Sequence, residues 1–144
     1  MVEEGMVLEI EGLEELLKAL AKYPKQSDKM LKEALVPGLA MIASDAKKRA
    51  PVDFGRLMSS IGEKSDHVYR GELAPGILET KKVGSQIVGR VGSAVVYARA
   101  QEYGYPPRNL PAHPYMRPAL KATKDKVVKL FEKSITKVLR KLGL

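Results

Sequence analysis

The chain has 144 residues, 44% hydrophobic and 29% charged, and no cysteine. That is enough apolar material for a folded core, and it excludes a disulfide framework, thiolate metal sites and a cysteine nucleophile. The formal charge is +8, but residues 1–50 carry 8 basic and 9 acidic side chains, residues 51–105 carry 7 and 6, and residues 106–144 carry 10 and 2, so the excess belongs to the last quarter.

No apolar run approaches the roughly 20 residues that span a bilayer. The acidic opening MVEEGMVLEIEG is not a signal peptide, so a cytoplasm-like compartment is expected. One asparagine (Asn109) and three glutamines (Gln26, Gln86, Gln101) stand among abundant Lys and Glu. That pattern fits a thermophile protein, and chance in a short chain gives it equally well.

Val7–Ile10 reads as a short strand. Gly12–Tyr23 then places Leu13, Leu16, Leu17 and Leu20 on one helical stripe, which Pro24 ends. Ser27 and Asp28 offer an N-cap for a longer helix to about Arg49, with Leu31, Leu35, Leu39, Ile42 and Ala46 at spacings of three and four. Pro37-Gly38 falls inside it. Proline lacks the amide donor and clashes with the preceding turn, so a kink or break is expected there.

The period then changes. Ser59–Tyr69 and Gly76–Val83 are strand candidates with a turn at Gly71–Gly76 between them. Gln86–Gly92 and Ala94–Ala98 are short, β-branched and punctuated by glycine, which reads as strands. From Pro118 the helical period returns, with Leu120, Val127, Phe131, Ile135, Val138 and Leu142 on an apolar stripe and Lys126, Lys129, Lys133, Lys137 and Lys141 opposite. The fold class is α+β: a small antiparallel β-sheet packed by N-terminal helices and a long basic C-terminal helix. With no repeat or linker, residues 1–144 read as a single domain.

Catalytic chemistry has little to stand on. There is no phosphate-cradling glycine loop, no nucleophile elbow and no helix with paired histidines. His67 and His113 are isolated, without carboxylates at metal spacing, so neither a metal nor another cofactor is expected. Asp53 suits an Asx turn or a helix cap, and Glu102 suits a structural or interface carboxylate beside an arginine. No enzyme is implied.

Two segments are not explained by a core: KKRAPVDFGRLMSSI (residues 47–61) and YARAQEYGYPPRNLPAHPYMRPAL (residues 97–120), the second holding five prolines and four tyrosines. Together they resemble the head–tail joining family of tailed bacteriophages, the neck and tail-completion proteins that include relatives of lambda protein Z. That family shows APVDTG-x-L-x-x-SI, then V-x-YA-x-x-x-E-x-G, then P-A-x-PF-x-x-PA, then a C-terminal helix. Matching positions are Ala50-Pro51-Val52-Asp53, Gly55, Leu57 and Ser60-Ile61; Val95 or Val96, Tyr97-Ala98, Glu102 and Gly104; Pro111-Ala112, Pro114-Tyr115 and Arg117-Pro118-Ala119. Phe54, Tyr105 and Tyr115 depart from the usual Thr, Thr and Phe.

The resemblance implies a structural virion protein, from a phage or a resident prophage. It would form a homo-oligomeric ring at the head–tail junction or tail end and contact other head, connector or tail-tube proteins. Its places would be the virion and, during assembly, the host cytoplasm. Tyr97, Glu102, Tyr103, Tyr105, Arg108, Tyr115 and Arg117 are then interface candidates, since tyrosine and arginine anchor protein interfaces. The same tyrosines capping the sheet within one subunit is the other reading. Pro51, Asp53 and Gly55 are expected to form a structural turn, in which Gly55 would resist substitution if its φ is positive.

The lysine face is a solvated surface, or it meets DNA in a channel or an acidic partner. Lysine suits phosphate contacts more than base readout, and no DNA-reading motif accompanies it. A non-enzymatic nucleic-acid-binding protein is the alternative function. The helix has no Trp or bulky aromatic face for a membrane surface.

Overall fold

The computed structural model describes residues 6–8, 24–51, 55–84 and 86–141. In chain order these form β1 (Met6–Leu8), α1 (Pro24–Arg49), α2 (Gly55–Ser60), β2 (Val68–Tyr69), β3 (Glu72–Leu73), β4 (Gly76–Val83), β5 (Gln86–Ser93), α3 (Ala98–Tyr103), a 3₁₀ turn (Pro106–Arg108) and α4 (Met116–Lys141). The α+β class is as expected. The helix expected over Gly12–Tyr23, the turn residue Asp53 and the stripe residue Leu142 lie outside the described residues.

Pro24 opens α1, where its missing N–H is one of the groups a helix start leaves unbonded anyway. Ser27 and Asp28 therefore lie inside α1 rather than capping it. The break expected at Pro37-Gly38 does not occur, and α1 runs unbroken through both. An interior proline costs about 3 kcal/mol. Leu31, Leu35, Leu39 and Ile42 are all buried on either side of it, each worth about 1.5–3 kcal/mol, so packing wins. Gly38 serves the packing too: a Cβ there would sit 2.8 Å from Val127 Cγ1 of α4.

The main sheet is antiparallel in the order β1-β5-β4. Its register runs Met6↔Val91 to Leu8↔Gly89 on one side of β5 and Gly76↔Ser93 to Val83↔Gln86 on the other. α1 lies across β5 and β4 and along α4. The core lies between them, built from Leu39, Ile42, Ala46, Val91, Met116 and Val127 with Leu57 and Ile61.

Four local expectations are corrected. Ser59–Tyr69 is not a strand; α2 and turns fill most of it, leaving only Val68–Tyr69, which pairs with Glu72–Leu73. Leu57, Ser60 and Ile61 are all fully buried, and steps of three and four on one side follow the helical period rather than the alternation of a strand. The predicted turn over Gly71–Gly76 shrinks to Arg70-Gly71, both at positive φ, as a tight hairpin requires.

Ala94–Ala98 is not a strand either. Ala94 N–H bonds Pro75 C=O at 2.9 Å and Val95 N–H bonds Ser93 Oγ at 3.1 Å, which turns the chain out of the sheet. Val95 and Ala98 are buried while Val96 is 93% exposed, a helical spacing rather than an alternation. Finally, Gly55 is not at positive φ. It is needed for space, since a Cβ would meet the Tyr69 hydroxyl at 2.6 Å.

Candidate functional site

Between α3 and α4 the chain makes a closed arm. α3 ends at Gly104, whose φ of 79° favours glycine and whose N–H bonds Ala100 C=O at 2.8 Å. Tyr105 and Leu110 then exchange backbone hydrogen bonds of 2.9 and 3.1 Å around the 3₁₀ turn, with Asn109 in the left-handed region. His113 N–H donates to Gln101 C=O at 2.7 Å and ties the arm's end back to α3. Residues 105–114 are all exposed. Prolines fix φ at four of those ten positions, so the arm loses little further entropy on docking.

Glu102 is the anchor. It is 4% exposed, on α3, and points at the first turn of α4. Its Oε2 accepts from the N–H groups of Tyr115 (2.7 Å) and Met116 (2.9 Å), and its Oε1 from the Arg117 N–H and Nε, both at 3.0 Å. Arg117 Nη2 also donates to the Glu102 carbonyl at 2.9 Å, and its guanidinium lies 4.7 Å from the Tyr103 ring centre. A helix start leaves several N–H groups unbonded and carries partial positive charge, so a buried carboxylate is well placed there. Burial by itself would raise the Glu102 pKa. The hydrogen bonds from Tyr115, Met116 and Arg117 outweigh it and hold the carboxyl below its usual value. Tyr115 is pushed the other way, by burial first and then by the Glu102 charge.

These contacts sort the expected interface residues. Glu102 and Tyr115 lie inside the subunit, with the Tyr115 hydroxyl donating to Ala98 C=O at 3.3 Å, so neither offers a surface to a partner. Their work is to fix the arm and α4. Tyr97 is half-buried against the core. Tyr103, Tyr105, Arg108 and Arg117 are exposed. They are joined by Val96 and Leu110, which sequence reasoning did not single out; Val96, Tyr103, Tyr105 and Leu110 are 44–93% exposed. No local pattern marks Val96, because it is the chain's exit from the sheet after Ser93 that buries Val95 and Ala98 and turns Val96 outward. Beside them lies a groove of about 600 Å³, bordered by Ile77, Leu78, Val95, Val96 and Tyr103.

The lysines expected on one side of α4 are all exposed, and Val127, Phe131, Ile135 and Val138 opposite them are buried. Pro51 follows the end of α1, and the turn expected of it with Asp53 and Gly55 runs through residues outside the described ones.

One polar constellation escaped the sequence. Ser59 Oγ lies 2.8 Å from His67 Nε2, and His67 Nδ1 lies 3.8 Å from Glu63 Oε2. It resembles a nucleophile, base and orienting acid, but 3.8 Å is beyond hydrogen-bond reach and Glu63 also pairs with Lys47 at 3.3 Å. The nearby N–H groups of Gly62, Glu63, His67 and Gly76 are spent within the chain, on Gly92, Ser60, Lys64 and Lys64 carbonyls. No donor pair is left among them for an oxyanion. Among the described residues no His, Asp and Glu cluster has the makings of a metal site, and no helix is long and apolar enough to cross a membrane.

The fold and this site define a protein whose specialised groups build surfaces and brace them. Residues 14–104 match the model of the HK97-gp10-like family, described as a tail component of bacteriophage HK97. The chain belongs to that family of phage tail components, and a structural virion role follows from the membership. The matched segment ends at Gly104, where the arm begins. No curated protein and no solved structure matches the chain.

Proposed function

We propose that the protein assembles into a ring at the head–tail junction or the tail end of a phage or prophage particle, as relatives of lambda protein Z do, and that it works without catalysis. The observation that carries this is the arm: a self-bonded, proline-braced projection that holds Tyr105 and Leu110 in water. Large apolar side chains clustered on a surface mark interaction sites. The arm of one subunit seats in the groove beside Val96 and Tyr103 of the next. That contact is head-to-tail, so it closes into a ring when the rotation permits. β4, at an edge of the sheet, is covered by the same neighbour.

The test is oligomeric state by native mass spectrometry and sedimentation, at rising concentration and with neighbouring tail proteins present. Tyr105→Ser with Leu110→Ser removes the arm's anchors, and Val96→Asp spoils the groove. Each variant is expected to stay folded and monomeric. A head-to-tail contact also predicts that mixing the two variants restores one interface, giving dimers and nothing larger. Higher assemblies that survive both sets of substitutions would sink the reading.

A further inference from the structure

Six exposed cations of α4 form a stripe along one side of the helix. At 3.6 residues per turn, Lys126, Lys129, Lys133, Lys137, Arg140 and Lys141 fall within an arc of about 120° and extend over about 23 Å. The two acidic residues of α4, Asp125 and Glu132, fall to one side of that arc. Elsewhere several surface cations are paired, Lys47 with Glu63, Arg49 with Asp45, Lys82 with Asp28 and Arg117 with Glu102. Lys48, Lys64 and Lys81 are in no ion pair among the described residues, but they lie apart, on α1, after α2 and on β4. Among the described residues, no member of the stripe is in an ion pair.

Charge at the last turn is favoured by the helix dipole, which accounts for Arg140 and Lys141. It does not account for four unpaired lysines along the preceding turns, whose mutual repulsion works against the fold. An acidic protein is a poor fit as the missing counter-charge. Protein interfaces are depleted in lysine and enriched in aromatic residues, and among the described residues none of the exposed large apolar side chains lies on α4. A row of flexible point charges at steps of about 5–6 Å, with nothing to read a base edge, suits a line of phosphates.

We propose that this stripe is a sequence-independent binding surface for the phosphate backbone of duplex DNA. The inference does not depend on ring formation, because a single subunit carries the whole stripe.

A short fluorescent duplex titrated with the protein, with anisotropy read across about 50–200 mM salt, tests it. About five phosphate contacts predict a slope of log K against log salt near −4.5, a loss of about 500-fold over that range. Replacing Lys129, Lys133 and Lys137 by Gln should flatten the slope by about 2.7. Replacing Lys48, Lys64 and Lys81, exposed residues off the stripe, removes the same net charge and should leave the slope unchanged. Circular dichroism melts confirm that both variants fold. Duplexes of unrelated sequence should bind alike. The proposal fails if no salt-dependent binding is seen, or if the off-stripe variant loses as much as the stripe variant. It also fails if polyglutamate displaces the duplex at equal charge, since an acidic protein surface is then the partner.

Discussion

The two sides of α4 use charge in opposite ways. At its N-terminus a single buried carboxylate is met by four hydrogen bonds from three consecutive residues, at 2.7–3.0 Å. Along its outer face the stripe lysines have no ion-pair partner among the described residues. The first arrangement is specific, short-ranged and largely out of reach of salt; the second is diffuse and screened within about 10 Å at ordinary ionic strength. One builds a shape, and the other builds a field. Substitutions in the first region should therefore change folding, and those in the second should change association.

The largest effect is expected at the anchor. Glu102→Ala leaves N–H groups of Tyr115 and Met116 buried without an acceptor and removes the carboxylate that Arg117 pairs with, leaving that side chain with the residue 102 carbonyl as its acceptor. A loss of about 3 kcal/mol in urea unfolding is expected, little altered by salt. A loss below about 1 kcal/mol would break the contrast, because Glu102 would then be as loosely held as the lysines.

Next comes the packed side of α4. Gly38→Val drives a side chain into Val127, 2.8 Å from the position of its Cβ. Overpacking of this kind costs about 1–3 kcal/mol, measurable as a lowered Tm. If Tm holds, α1 and α4 slide past one another freely, and the placement of the stripe relative to the arm is not fixed by this contact.

The pH dependence is smaller and has a definite sign. Because the folded state holds the Glu102 pKa below 4.5, its contribution is complete above that pH and is lost as pH falls through the lowered value. The stability gap between the wild type and Glu102→Gln should narrow below pH 4.5. A gap that widens on acidification would mean that burial, not the hydrogen bonds, controls the group.

The smallest change is expected from the stripe. Lys129→Gln with Lys133→Gln and Lys137→Gln should shift stability by less than about 0.5 kcal/mol, toward greater stability at low salt as repulsion is relieved. A loss well beyond that would show the lysines to be structural.

The longest patterns were the most legible in the sequence. α4 was readable because its apolar and lysine stripes each repeat at three and four residues, and β4 and β5 because their β-branched runs are bounded by glycines. Where the signal was a single residue, it misled. Pro37 looked like a break, but a lone residue cannot report that four buried neighbours outweigh it. Val95-Val96 looked like strand, yet only a sheet that ends at Ser93 makes Val95 buried and Val96 exposed. Glu102 was recognised as a carboxylate beside an arginine, and the arginine turned out to be Arg117. That the same carboxylate caps α4 needed the chain to fold back on residues 13–15 positions away, which no local pattern records.

The amino-acid order by itself determined the α+β class, the amphipathic last helix and the concentration of positive charge upon it, because those depend on composition and on periods of two and 3.6. Only the tertiary structure decided which tyrosines face inward, why Gly38 and Gly55 are glycines and what Glu102 holds. Each of these depends on atoms a few ångströms apart that belong to residues far apart in the chain.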